Sequence, residues 1–114
     1  MKLLIITFFC LISTFTQAQT AKELIGKWKL IKSTKDGIVT TPKETYQVFE
    51  EDGVFKGVNG EDSRKGKWKL SSDNTKLTIK ISIISITFNI EYFDLKKRII
   101  SSDKTGKLEY EKIE

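Results

Sequence analysis

Histidine is absent from the 114 residues, and cysteine, proline and methionine occur once each. With no histidine, and with Cys10 as the sole thiol, neither a Ser-His-Asp nor a Cys-His nucleophile can be assembled, and a nitrogen- or sulfur-ligated zinc site has no ligands to draw on. Catalysis would have to rest on carboxylates, lysines, tyrosines or bare hydroxyls. The acids crowd into turn-like places instead: Glu50, Glu51 and Asp52 precede Gly53, Glu61 and Asp62 follow Gly60, and Asp73 precedes Asn74. Asp and Asn stabilise turns through local hydrogen bonds, so these positions explain the acids without an acid-base pair. The run Asn59-Gly60-Glu61-Asp62 does not follow the ligand order of a calcium loop. The expectation is a protein that is not an enzyme and holds no metal or cofactor.

Long apolar runs are also missing, apart from one at the start. Met1-Lys2 is a short positive beginning, Leu3 to Phe15 is almost wholly apolar, and Thr16-Gln17-Ala18 places small residues where an export signal is cut. The run is shorter than the roughly 20 residues of a spanning helix, so residues 1–18 read as a signal peptide and not as an anchor. Phe9 and Thr7 stand where a lipid-bearing Cys10 would need a small residue and a leucine, so lipidation is not expected. Cleavage after Ala18 leaves residues 19–114 as one domain without cysteine, with 19 basic residues against 15 acidic ones and a formal charge of +4. The expected location is the periplasm or the cell exterior. A chain of this size supports one core but not a large internal cavity as well.

What is present is a repeat. Gly-Lys-Trp-Lys-Leu occurs at Gly26 to Leu30 and again at Gly66 to Leu70, each opening an alternation of apolar and basic residues. A period of two marks a strand with one buried face, so both tryptophans point inward and the lysines outward. Turn signals divide the rest into short strands: Lys27 to Thr34, a brief Ile38 to Thr40 stopped by Pro42, Thr45 to Glu50, Val54 to Val58 and Lys65 to Ser71, with Ala21 to Ile25 as a helical turn before them. Between Lys76 and Asp94 the alternation changes phase. Leu77, Ile79 and Ile81 share one parity, and Ile84, Ile86, Phe88, Ile90 and Tyr92 the other, so a tight turn or bulge is expected near Ser82 to Ser85.

Register arithmetic adds detail. A three-residue Glu51-Asp52-Gly53 loop sets Phe49 against Phe55, and a Ser72 to Thr75 loop sets Leu70 against Leu77, Trp68 against Ile79 and Gly66 against Ile81. A Lys104-Thr105-Gly106 loop would set Ile100 against Tyr110. The fold expected is all-β: an antiparallel meander of eight to nine short strands curled into a small barrel or half-barrel, because closure removes exposed edges.

Gly26-Lys27-Trp28 after a helical turn, Tyr46 to Phe49 with its Glu-Asp-Gly turn and Phe55, and the second Gly-Lys-Trp-Lys-Leu with its Asp-Asn turn and Leu77-Thr78-Ile79 together resemble the small lipocalin-like domain proteins exported by Bacteroidetes bacteria. The resemblance covers residues 19–114. It implies a tryptophan, here Trp28, packed at the closed end of a barrel beneath an arginine from a late strand, which would be Arg98. The chain is far shorter than lipocalins proper and lacks their other sequence blocks.

Binding without chemistry is what the resemblance implies. One reading is an exported module holding a small hydrophobic or amphipathic ligand, lined by Tyr46, Phe49, Phe55, Ile79, Phe88, Ile90 and Tyr110, with Gly26, Trp28, Gly66, Trp68 and Arg98 as anchors. The same apolar residues serve equally as ordinary core filling. The alternative is a filled barrel that meets an anionic envelope component, a glycan or an acidic protein through a basic outer face of Lys27, Lys29, Arg64, Lys65, Lys67 and Lys69. That face would form if the two tryptophan strands were neighbours, and lysines there also protect strand edges. Export argues against nucleic acid as a partner.

Overall fold

The computed structural model describes residues 21–114; the segment read as a signal peptide lies outside the described residues. A helical turn, α1 (Ala21–Leu24), precedes nine strands: β1 (Gly26–Lys35), β2 (Ile38–Thr40), β3 (Thr45–Phe49), β4 (Val54–Asn59), β5 (Asp62–Leu70), β6 (Lys76–Ile81), β7 (Ile84–Phe93), β8 (Lys97–Ser102) and β9 (Gly106–Lys112). Each pairs antiparallel with the next along one sheet, and β9 returns to pair with β1. β2 and β3 share the edge of β1 that faces away from β9: Thr34 pairs with both Val39 and Lys107, and Lys29 with both Tyr46 and Glu111. They are two halves of one barrel position, interrupted where Pro42 can supply no ladder N–H. The result is a closed eight-stranded antiparallel barrel with one extra short strand.

The expected hairpins form around their turns. Phe49 lies opposite Phe55, with ring centroids 5.3 Å apart and Gly53 at a φ of 84°. Leu70 faces Leu77 and Trp68 faces Ile79, but the β5–β6 ladder stops at Lys67 and Lys80, one pair short of Gly66. The phase change resolves into a two-residue turn at Ser82-Ile83 with Ser82 at a φ of 58°, so that Ile81 faces Ile84. Two further details differ from expectation. In the last hairpin Ile100 faces Leu108 and Arg98 faces Tyr110, because Ser102 closes the loop, accepting the Thr105 N–H at 3.1 Å, and Gly106 already belongs to the ladder. In β7 a bulge between Ile90 and Tyr92 reverses the parity. Tyr92 therefore faces solvent, donating to Asp94 at 2.7 Å, and Phe93 turns in to pack 6.0 Å from the Trp28 ring.

Both tryptophans are buried, and each indole N–H holds a connecting segment, α1 or the β3–β4 loop, at the same end of the barrel. Trp28 Nε1 donates to the Leu24 carbonyl at 2.9 Å and Trp68 Nε1 to the Glu50 carbonyl at 2.9 Å. α1 is thereby held as a plug with Leu24 fully buried. This closed end carries the aromatic core. The opposite end is formed by the turns at residues 36–37, 60–61, 82–83 and 103–105.

Candidate functional site

Alternation decides what reaches the barrel interior. Phe49, Gln47 and Thr45 point inward from β3, and Phe55 and Gly57 from β4, and Trp68, Gly66, Arg64 and Asp62 from β5, each row fixed by its buried aromatic. Toward the closed end these rows are aromatic and fill the core. Toward the other end they become small or polar, and the facing β6 and β7 supply isoleucines that nothing opposite fills. A cup of about 430 Å³ results. Ile79, Ile81, Ile84, Ile86 and Phe88 make one wall, Phe55 and Gly57 stand opposite, and Thr45, Asn59, Asp62 and Arg64 form a polar rim. The limit inferred from chain length concerned an enclosed cavity; here the space is an open mouth that shares Phe55, Ile79, Phe88 and Tyr110 with the core cluster below it.

Gln47 and Tyr110 form the floor of the cup, and beneath them lies Arg98, fully buried. Its guanidinium carbon is 4.8 Å from the Trp28 ring centroid, 4.9 Å from Phe49 and 4.4 Å from Tyr110. Nη2 donates to Gln47 Oε1 at 2.7 Å, while Nε and Nη1 are buried with no hydrogen-bond partner. Neither of the two ion pairs among the described residues, Lys97 with Glu109 and Lys107 with Glu91, involves Arg98. Burial lowers the Arg98 pKa to about 10, which leaves it cationic at neutral pH. Burial also raises the Tyr110 hydroxyl to about 12, outweighing the downward pull of Arg98, so it keeps its proton.

Of the lining residues expected from sequence, Phe55, Ile79, Phe88 and Tyr110 border the cup. Tyr46 contributes to its wall, but its ring shares the outer parity with Val48, and the Lys27 ammonium sits 4.7 Å over it. Phe49 packs in the closed end, 5.7 Å from Trp68, and Ile90 lies opposite Ile100 below the cup. The sequence reading passed over Gln47, Ile84 and Ile86. The signal was there: parity with Phe49 turns Gln47 inward, and parity with Phe88 does the same for both isoleucines. Among the anchors, Gly26 has a φ of 136°, and a Cβ there would meet the Glu114 carbonyl; a Cβ at Gly66 would meet the Lys80 carbonyl and stand 2.9 Å from Ile81 Cγ1.

The basic face is arranged differently from expectation. β1 and β5 are separated by β3 and β4, so Lys27 and Lys29 do not adjoin Lys65, Lys67 and Lys69. Arg64 is on the inner parity, opposite Gly57 at the rim of the cup. The lysines of β5 instead meet Lys56 and Lys80: Lys56 pairs directly with Lys65, and Lys67 with Lys80, beside an outer groove of about 470 Å³. Among the described residues no group of three or more potential ligands could hold a metal ion, and no helix is long and apolar enough to cross a membrane.

A lipocalin-like protein from Bacteroides uniformis, solved by crystallography, superposes with a TM-score of 0.69 at 17% sequence identity, covering 80% of this chain and 99% of the other. An uncharacterized protein from Bacteroides eggerthii superposes with a TM-score of 0.65 at 18% identity, covering 78% and 98%. At such identities the likeness is one of fold. No curated protein matches the chain in sequence. The model of the C-terminal lipocalin-like domain family matches residues 13–111, nearly the whole length. The chain therefore belongs to the C-terminal lipocalin-like domain family.

Proposed function

We propose that the protein is an exported binding module that holds a small hydrophobic or amphipathic ligand in the open end of its barrel. The observation that carries this reading is the unfilled upper half: an isoleucine wall faces Gly57 across about 430 Å³, while Trp28, Phe49 and Trp68 occupy the closed end below. Eight-stranded barrels are just wide enough either to be filled by their own side chains or to hold one small ligand, and the small inward residues of β4 and β5 favour the second. Ile83, 92% exposed, and Ile84 put apolar surface at the lip, where an apolar ligand would enter. The test uses N-phenylnaphthylamine, a neutral fluorophore that brightens in apolar sites. Saturable binding is expected, together with its loss in Gly57→Leu, whose side chain would occupy the cup because a Cβ at Gly57 meets only the Phe55 ring. An absence of saturable binding, by this probe and by lipids in native mass spectrometry, contradicts the reading.

A second reading, recognition of an anionic glycan, envelope component or acidic protein, is favoured by the directly paired lysines of β4, β5 and β6. Like charges opposite one another on a sheet are destabilising, and an anionic partner would relieve that repulsion. Binding to an anionic polysaccharide that falls steeply with salt and is lost in Lys65→Gln/Lys67→Gln supports it; binding indifferent to salt contradicts it.

A further inference from the structure

Arg98 is a buried cation without a carboxylate. Three aromatic faces and one amide oxygen surround it, and two of its nitrogens have no hydrogen-bond partner. Taking an ion out of water costs several kcal/mol and is normally offset by a paired charge. None is supplied by the described residues. The two groups between Arg98 and the cup can both donate into it. A guanidinium can only donate, so Gln47 must turn its oxygen down to Arg98, and its NH₂ is left for the cup. The Tyr110 hydroxyl makes no hydrogen bond among the described residues and has its ring stacked over the cation. Apolar walls thus lead down to a floor that offers the Gln47 amide N–H and the Tyr110 O–H, backed by a positive charge, with no carboxylate among the described residues at that depth.

We infer that the ligand of the cup is an anionic amphiphile bound head down, its carboxylate accepting from Gln47 and Tyr110 above Arg98 and its chain lying along the isoleucine wall. This rests on the ligand-binding reading of the cup and adds the head group and its orientation. The apolar chain fits the wall contributed by β6 and β7, and the acid group replaces the missing counter-charge. Arg64 at the rim offers the opposite orientation, head at the mouth, and its exposure to water makes it the weaker attractor.

The experiment measures displacement of N-phenylnaphthylamine by dodecanoate and by dodecanol at neutral pH. Dodecanoate is expected to bind about tenfold or more tightly than the alcohol, as charge-assisted hydrogen bonds require. Tyr110→Phe, which keeps the ring over Arg98, should reduce the preference to about threefold or less, Arg98→Met should abolish it, and Arg64→Gln should leave it intact. Reading the acid-to-alcohol ratio within each variant separates head-group recognition from any change in folding. Equal binding of acid and alcohol overturns the inference while leaving the cup. A preference that survives Tyr110→Phe and Arg98→Met but is lost in Arg64→Gln also overturns it, by placing the head at the mouth. Binding of neither probe nor amphiphile removes the cup and the inference together.

Discussion

At the scale of single residues, Arg98 and Tyr110 carry the most unusual physics. Cation-aromatic contacts contribute about 0.5 to 2 kcal/mol each and depend on a flat, weakly hydrated cation that can stack. An ammonium keeps the charge but loses the stack, so Arg98→Lys should be less stable than Arg98→Met in thermal denaturation; the reverse order would show that charge and not stacking is what the site accommodates. Tyr110 has a consequence in alkali. Its pKa is about 12 in the fold against 10.0 for the free group. As pH rises from 10 toward 12 the unfolded chain gives up this proton while the folded one holds it, so Tyr110's own contribution to stability falls through that window by up to roughly 2 to 3 kcal/mol, while Arg98, lowered to about 10, contributes in the opposite direction. Tyr110→Phe should be spared this decline. Denaturant midpoints of the two proteins across the window are the check, and parallel curves would contradict the shift. Neither residue's role was legible from periodicity alone. The pairing of Arg98 with Trp28 came from resemblance, and the pairing with Tyr110 needed a hairpin register that Ser102 sets two residues away from the one the turn suggests.

At the scale of elements, the Gly-Lys-Trp-Lys-Leu repeat performs one task twice: a glycine at a crowded crossing, then an inward indole that donates to a backbone carbonyl at the closed end, of α1 in one case and of the β3–β4 loop in the other. Gly66→Ala drives a methyl into the Lys80 carbonyl of β6, and a loss of about 1 to 3 kcal/mol is expected by urea denaturation. A neutral substitution would mean that the β5–β6 crossing is looser than described. Strands and most hairpins were readable because aromatic and aliphatic residues alternate strictly across well-marked turns. What escaped the reading was the bulge in β7, since an inserted residue such as Glu91 leaves no mark when Tyr92 and Phe93 are both plausible inward residues. The basic face was misjudged for a different reason: parity says which side a lysine takes, but only strand order says which lysines become neighbours, and β3 and β4 intervene between the two repeats.

At the scale of the molecule, closure of β9 onto β1 leaves a barrel of two unlike halves, an aromatic plug and an aliphatic cup, joined at the level of Arg98. The division could be sensed in the sequence of β3, β4 and β5, each with an inward aromatic toward one end and glycine or polar inward residues toward the other. Whether the space stayed open could not, because it depends on facing volumes from β4, β5, β6 and β7 together. Charge divides the outside around the barrel and not along it, with both ion pairs among the described residues on β7 to β9 and the paired lysines on β4 to β6. The most direct measurement is intermolecular contact mapping by NMR with dodecanoate and methyl-labelled protein. Close contacts from the ligand chain to the methyl groups of Ile79, Ile81 and Ile86, with the Trp28 indole unmoved and the Tyr110 ring shifted, are the predicted result; contacts confined to Lys65, Lys67 and Lys80, or none, would contradict a ligand-holding cup.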